Sequence, residues 1–153
     1  MYYLDTSVLL AYTLTRQLKP ARHAATAQLF TLVNTGQVRA VTSFYALHEL
    51  LVIAISNTDP DWEASSELAR QALLEILASR VLLLPIPRRE DKMLKARLFS
   101  VLRDATDLPH AIAAHVAGCT ALVAYDEHFR AINHVIRYLT PEELLTTYTT
   151  LTS

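Results

Sequence analysis

The chain has 153 residues, with 14 Lys and Arg against 15 Asp and Glu, a formal net charge of −1 with His neutral. Hydrophobic residues make up 52% and charged ones 19%, which excludes an intrinsically disordered chain and suits one domain over residues 1–153 with a sizeable core. So even a balance gives no chain-wide electrostatic footprint for nucleic acid; such a partner has to be held by a local patch or a metal.

The chain order opens with Met1-Tyr2-Tyr3-Leu4-Asp5-Thr6-Ser7. Tyr2 to Leu4 favour a first strand by residue type, Thr6 or Ser7 opens a first helix through Val8, Leu9 and Leu10, and Asp5 stands at the strand's carboxyl end. As plain structure, Asp5 would compete to cap that helix. In an open α/β sheet, however, the ligand crevice lies outside the carboxyl ends of the strands, so Asp5 is also a candidate functional carboxylate. Nothing at this end resembles a basic signal-peptide n-region, and the apolar run Val81-Leu82-Leu83-Leu84 is halted by Pro85. No membrane segment is expected, and the chain reads as soluble and cytoplasmic. A single cysteine, Cys119, excludes an internal disulfide framework and fits a reducing compartment.

A second helix is expected over Ala21–Asn34, closed by Gly36, and a second strand over Val38–Thr42. Ser43 then caps a third helix, Phe44–Ile55, apolar on nearly every side and therefore buried in the protein or in an interface. Glu49 sits in the middle of it. A glutamate is almost never fully buried without a partner, and aiming it into a polar cleft avoids the desolvation cost. The turn-rich cluster Asn57-Thr58-Asp59-Pro60-Asp61 separates this helix from a fourth, Trp62–Ser79. Val81–Leu84, fully apolar, predicts a third strand central in a parallel sheet. A fifth helix follows from Arg88 to about Leu102. Its Arg88, Arg89, Lys92, Lys95 and Arg97 form the densest basic group of the chain, either a solvated face or a track for a phosphate backbone.

After Arg103 and Asp104 come Asp107-Leu108-Pro109-His110-Ala111-Ile112-Ala113, a small-residue helix with Pro109 tolerated in its first turn and Gly118 as its stop. Asp107 suits a plain N-cap, and His110 and His115 are expected to be structural. Ala121–Tyr125 predicts a fourth strand, again ending at a carboxylate, Asp126, within Asp126-Glu127-His128-Phe129. Val135–Tyr138 predicts the last strand, and Thr140-Pro141-Glu142-Glu143 a capping box that opens a final short helix.

Alternating strands and helices predict an α/β fold, a mostly parallel sheet of four to five strands covered on both faces. That architecture brings Asp5, Asp107 and Asp126 to one edge of the sheet, where Glu49 can lean over. Converging carboxylates repel one another unless something positive compensates, and no Lys or Arg stands at those positions. A hard divalent cation answers this, and all-oxygen ligation favours Mg²⁺ or Mn²⁺ over zinc. Only two glycines, Gly36 and Gly118, occur, so the Gly-rich phosphate cradles of P-loop and dinucleotide-binding folds are excluded.

These stretches together resemble the motifs of PIN domains. Leu4-Asp5-Thr6-Ser7-Val8-Leu9-Leu10 is similar to their opening motif, Ser43 with Glu49 to the second, Asp107-Leu108-Pro109-His110-Ala111-Ile112-Ala113 to the third, and Leu122-Val123-Ala124-Tyr125-Asp126-Glu127-His128-Phe129 to the fourth. The resemblance covers about Tyr2 to Tyr138. It implies a three-layer PIN-like fold and a metal-dependent endoribonuclease, most similar to VapC-type toxins of toxin–antitoxin pairs. By that resemblance Asp5, Glu49, Asp107 and Asp126 are metal ligands for Mg²⁺ or Mn²⁺, and Ser7 hydrogen-bonds within the site. RNA as substrate, an antitoxin protein as partner and a homodimer are also implied. Two departures stand out. Ala124 occupies a position where the family usually carries Thr or Ser, and Asp104, three residues before Asp107, competes for the role of third ligand, with Asp107 the better fit to the spacing. A PIN nuclease of RNA processing without an antitoxin, and a degenerate PIN domain that only binds, are the alternatives. A phosphatase with Asp5 as nucleophile lacks its second acid, since Ser7 stands two residues on.

Overall fold

The computed structural model describes residues 1–57 and 62–152; the predicted turn cluster at 58–61 lies outside the described residues. Five short strands, β1 (Tyr2–Leu4), β2 (Ala40–Ser43), β3 (Leu82–Leu84), β4 (Ala121–Val123) and β5 (Arg137–Leu139), form one sheet in the order β3-β2-β1-β4-β5. Every pairing is parallel, so all five carboxyl ends face one edge. β1 is the central strand, with Tyr3 level with Val41 on one side and Leu122 on the other.

Side-chain alternation along the strands divides the interior in two, because successive residues point to opposite faces. Leu4, Ala40, Ala121, Val123 and Leu139 face one core, which they share with Val8 and Leu9 of α1 (Thr6–Thr13), Leu29, Phe30 and Val33 of α2 (Pro20–Asn34), and Leu47 and Leu50 of α3 (Phe44–Asn57). Ala72 and Ile76 of α4 (Trp62–Ala78) and Leu144 of α7 (Pro141–Thr152) complete it. Tyr3, Val41, Leu122 and Tyr138 face the second core, closed by Phe99, by Ile112 of α6 (Asp107–Val116), and by Phe129 and Ile132. The result is the expected three-layer α/β arrangement. Among the described residues no helix is long and apolar enough to cross a membrane.

Several local expectations change. β3 is an edge strand, not a central one, and Leu82 is 54% exposed. An apolar run of this length reports burial propensity but not the number of neighbours, and among the described residues only β2 pairs with it. The fifth helix is cut short: α5 (Arg89–Lys95) buries none of its residues and tightens into a 3₁₀ turn at Ala96–Phe99, where Phe99 reaches the second core. The cap of α1 is Asp5, not Thr6 or Ser7, since its carboxylate accepts the Ser7 N–H at 2.9 Å. Asp107, by contrast, does not cap α6. It is the first helical residue, and Thr106 before it makes no side-chain capping bond.

Other local signals fold as their chemistry requires. Ser43 Oγ accepts the Ala46 N–H at 3.2 Å as α3 begins. Thr140 and Glu143 form a reciprocal capping box at 2.7 and 3.2 Å. Gly36, after α2, adopts φ +77°, the left-handed conformation that a side chain disfavours.

Candidate active site

Parallel strand ends leave the chain at one edge of the sheet, and the loops that follow deliver polar side chains there. Asp5 follows β1, Glu49 projects from α3 after β2, Asp107 and His110 lie one turn apart on α6, and Asp126 follows β4. These five residues line one small cleft of about 180 Å³ together with Thr6, Ser7, Leu10, Ile53 and Thr106. Within the cleft they form two groups.

The inner group is built on hydrogen bonds. Glu49 Oε2 accepts from Thr6 Oγ1 at 2.6 Å and pairs with His110 Nε2 at 2.7 Å. The other ring nitrogen of His110, Nδ1, lies 2.8 Å from the Tyr3 hydroxyl, which is itself 2.7 Å from Ser43 Oγ. Asp5 stands beside this chain, its Oδ1 3.5 Å from His110 Nδ1. Its other oxygen, Oδ2, accepts from both the Ser7 N–H (2.9 Å) and the Ser7 hydroxyl (2.6 Å). Ser7 Oγ in turn accepts the Tyr125 N–H at 2.9 Å, which ties α1 to the loop after β4.

Electrostatics follow from these partners. Burial pushes the Glu49 carboxyl up, but the hydrogen bonds from His110 and Thr6 outweigh it and hold Glu49 below the usual carboxylate range. Burial disfavours a charged His110, yet the bond to Glu49 and the charges of Asp5, Glu49 and Asp107 raise its pKa above the ordinary histidine value. Burial also lifts the Tyr3 hydroxyl well above its usual range.

The outer group is under-satisfied. Asp107 is 6% exposed, and its Oδ2 is buried with no hydrogen-bond partner. Burial first, then the neighbouring charges of Asp126, Asp104 and Asp5, push its pKa up from 3.8 to about 6. Asp126 caps the 3₁₀ turn Glu127–Ile132 by accepting the His128 N–H at 2.9 Å. His128 Nδ1 lies 3.3 Å from Asp126 Oδ1 and 3.6 Å from Asp107 Oδ2. Carboxylates held this close without a cation repel one another, and a donorless buried oxygen is costly. Both features suit a site that takes up a divalent metal.

The four predicted acids are therefore brought to one cleft, with Ser7 bonded to Asp5. Asp104 is placed differently: it is exposed, and its Oδ1 is occupied by the Thr106 N–H and hydroxyl at 2.9 and 2.8 Å. Those bonds lower its pKa. Ala124 is fully buried and its N–H bonds the Leu139 carbonyl, while Thr6, Ser7 and Thr106 line the cleft. His115 packs edge-on against Phe99, away from the cleft. His110, expected to be structural, lies in the cleft. It links Glu49 to the sheet, and its position one helical turn after Asp107, on the same face of α6, is the signal that points to it. The sequence carries no functional signal for Thr6, Tyr3 or His128, and Tyr3 has no signature apart from its place in a strand.

The sequence profile of the PIN domain matches residues 2–128. The chain belongs to the PIN-domain family. Solved structures show the same fold at low sequence identity. VapBC2 from Rickettsia felis, bound to a DNA fragment from its promoter, aligns with TM-score 0.64 and 17% identity over 91% of this chain and 97% of that one. The Mycobacterium tuberculosis toxin VapC20, described as cleaving the sarcin–ricin loop, aligns with TM-score 0.65 and 16% identity over 90% and 98% of the two chains. FitAcB from Neisseria gonorrhoeae aligns with TM-score 0.63 and 20% identity over 93% and 99%. Comparison with curated proteins gives no significant match. The PIN fold thus spans nearly all of the described residues, and the acidic cleft sits at its strand ends.

Proposed function

We propose that this PIN domain, a single unit over residues 1–153, is a metal-dependent endoribonuclease acting in the cytoplasm as the toxin of a toxin–antitoxin pair. The observation that carries the reading is Asp107 Oδ2, a buried carboxylate oxygen without a donor, on a residue that lines the cleft with Asp5, Glu49 and Asp126. Family membership and the fold shared with VapC20 support hydrolysis of RNA phosphodiester bonds; the VapBC structures support an antitoxin partner.

Asp5, Glu49, Asp107 and Asp126 would hold Mg²⁺ or Mn²⁺, a cation that neutralises phosphate charge and makes water a better nucleophile. The chain's own residues prepare the ligands. Ser7 locks Asp5 Oδ2, so Asp5 Oδ1 is the oxygen left to the cleft. Thr6 and His110 converge on Glu49 Oε2, and the Tyr45 hydroxyl also hydrogen-bonds this carboxylate. Tyr3 holds the far side of His110 and keeps the ring from turning away. Positioned in this way, the carboxylates need little reorganisation when a cation and a phosphate arrive.

A homodimer belongs to the same proposal. Leu68, Leu74 and Leu77 of α4 with Phe44 and Val52 of α3 are exposed apolar residues that a second copy would cover. Val8 and Leu9 of α1, by contrast, are fully buried and take no part in such a surface. The basic residues Arg88, Arg89 and Lys92 suit an acidic antitoxin segment. The test is incubation of the purified chain with single-stranded and hairpin RNA, with Mg²⁺ or Mn²⁺ and then with excess chelator. Cleavage that requires the cation is expected. Cleavage that survives exhaustive chelation, or none with either metal, overturns the reading.

A further inference from the structure

His128 is pinned at the rim of the cleft although its side chain is 69% exposed. Its backbone N–H bonds Asp126 Oδ1, and the next residue, Phe129, is buried in the second core. The ring turns back over the carboxylates rather than outward. Among the described residues, Asp107, Asp126 and His128 are the one trio of ligating side chains whose donor atoms all lie within 4.8 Å of one another. Ligand atoms about 2.1 Å from a shared ion stand roughly 3.0–3.5 Å apart. The separation of 3.3 Å from His128 Nδ1 to Asp126 falls within that spacing and the 3.6 Å to Asp107 lies just beyond it, too long for a hydrogen bond. The independent sign of a missing ligand is Asp107 Oδ2, buried and without a donor.

We propose that His128 Nδ1 is a nitrogen ligand to the cation shared by Asp107 and Asp126, and that it tunes the site toward Mn²⁺ over Mg²⁺. This rests on the metal-dependent reading of the cleft. Imidazole is a poor ligand for Mg²⁺, a hard ion that prefers oxygen, and a better one for first-row transition metals. A four-carboxylate site lacks that discrimination. The competing role for His128 is that of a protonated counter-ion, which an arriving cation would displace.

The experiment is calorimetric titration of Mn²⁺ and Mg²⁺ into the chelator-stripped wild type, His128→Ala, His128→Gln and Asp107→Asn, with pulsed electron paramagnetic resonance of the Mn²⁺ complexes. The wild type is expected to show coupling from an imidazole nitrogen. Both His128 variants lose the coupling and about tenfold or more in Mn²⁺ affinity, while Mg²⁺ affinity changes by less than about twofold. Equal losses for the two metals, tighter binding of both, or a wild-type spectrum without nitrogen coupling overturns the assignment. Mn²⁺ binding without that coupling, abolished by Asp107→Asn, leaves the nuclease proposal standing and removes only His128. No Mn²⁺ binding by the wild type removes both.

Discussion

Asp107→Asn in metal-free protein separates a carboxylate held for a ligand from one held for the fold. Asp107 is buried and its pKa is raised from 3.8 to about 6. Between those values the folded chain keeps a proton that the unfolded chain has released. Stability therefore falls as pH rises through this window, the reverse of an ordinary salt-bridged aspartate. The group's contribution is full below about pH 3.8 and is lost once the pH passes about 6. At ~1.4 kcal/mol per pH unit the ionised form costs the fold roughly 3 kcal/mol at pH 7, and about 1–3 kcal/mol after allowing for solvent entering the cleft. Asparagine keeps the shape, removes the charge and can donate its amide to Asp126. The variant should gain about 1–3 kcal/mol at pH 7 in excess chelator, or roughly 2–10 °C in Tm for a chain of this size. The gain should vanish near pH 4. Paired thermal melts of wild type and variant across pH 4–8 measure the difference, which cancels groups that Asp107 does not touch; His110 is not one of them, since the Asp107 charge helps raise its pKa. His110, with its raised pKa, stabilises most fully at low pH and loses that effect as pH rises through its folded value. A variant less stable than wild type at pH 7, or a gain that does not depend on pH, refutes the account of Asp107.

Four further outcomes follow from the same geometry. Asp5→Asn should abolish RNA cleavage yet leave Tm within a few degrees, because Asn is an equally good N-cap for α1; unfolding on this substitution would make Asp5 structural. Asp104→Asn is its matched control and should keep near-wild-type activity, since Asp104 is bound into a local turn by Thr106; an activity loss equal to that of Asp107→Asn would reverse the choice of third ligand. His110→Ala removes the partner of Glu49 and Tyr3 from a buried position and should cost roughly 2–4 kcal/mol in urea unfolding; a cost below 1 kcal/mol would mean the network is loosely held. Light scattering across a dilution series should report a dimer, and a mass that stays monomeric at tens of micromolar would show that the exposed apolar residues of α3 and α4 do not pair two copies.

Much of the strand-and-helix order can be read from sequence because it rests on local chemistry. Ser43 caps α3, Thr140 and Glu143 cap α7, Gly36 follows α2, and alternating elements demand a parallel sheet whose carboxyl ends share an edge. Asp5 and Asp126 are legible for the same reason, since each directly follows a strand run. Glu49 stands out because an acid in an apolar helix needs a partner. What that partner is depends on the fold. His110 is 61 residues from Glu49 in sequence and meets it only when α6 packs beside α3. Tyr3 reaches His110 across 107 residues for the same reason. The edge position of β3 and the placing of Asp107 inside the cleft, with Asp104 outside it, are likewise decided by packing. A local signal states what a residue can do to its neighbours along the chain. Which distant group desolvates it, charges it or leaves its oxygen without a donor is set only when the layers close.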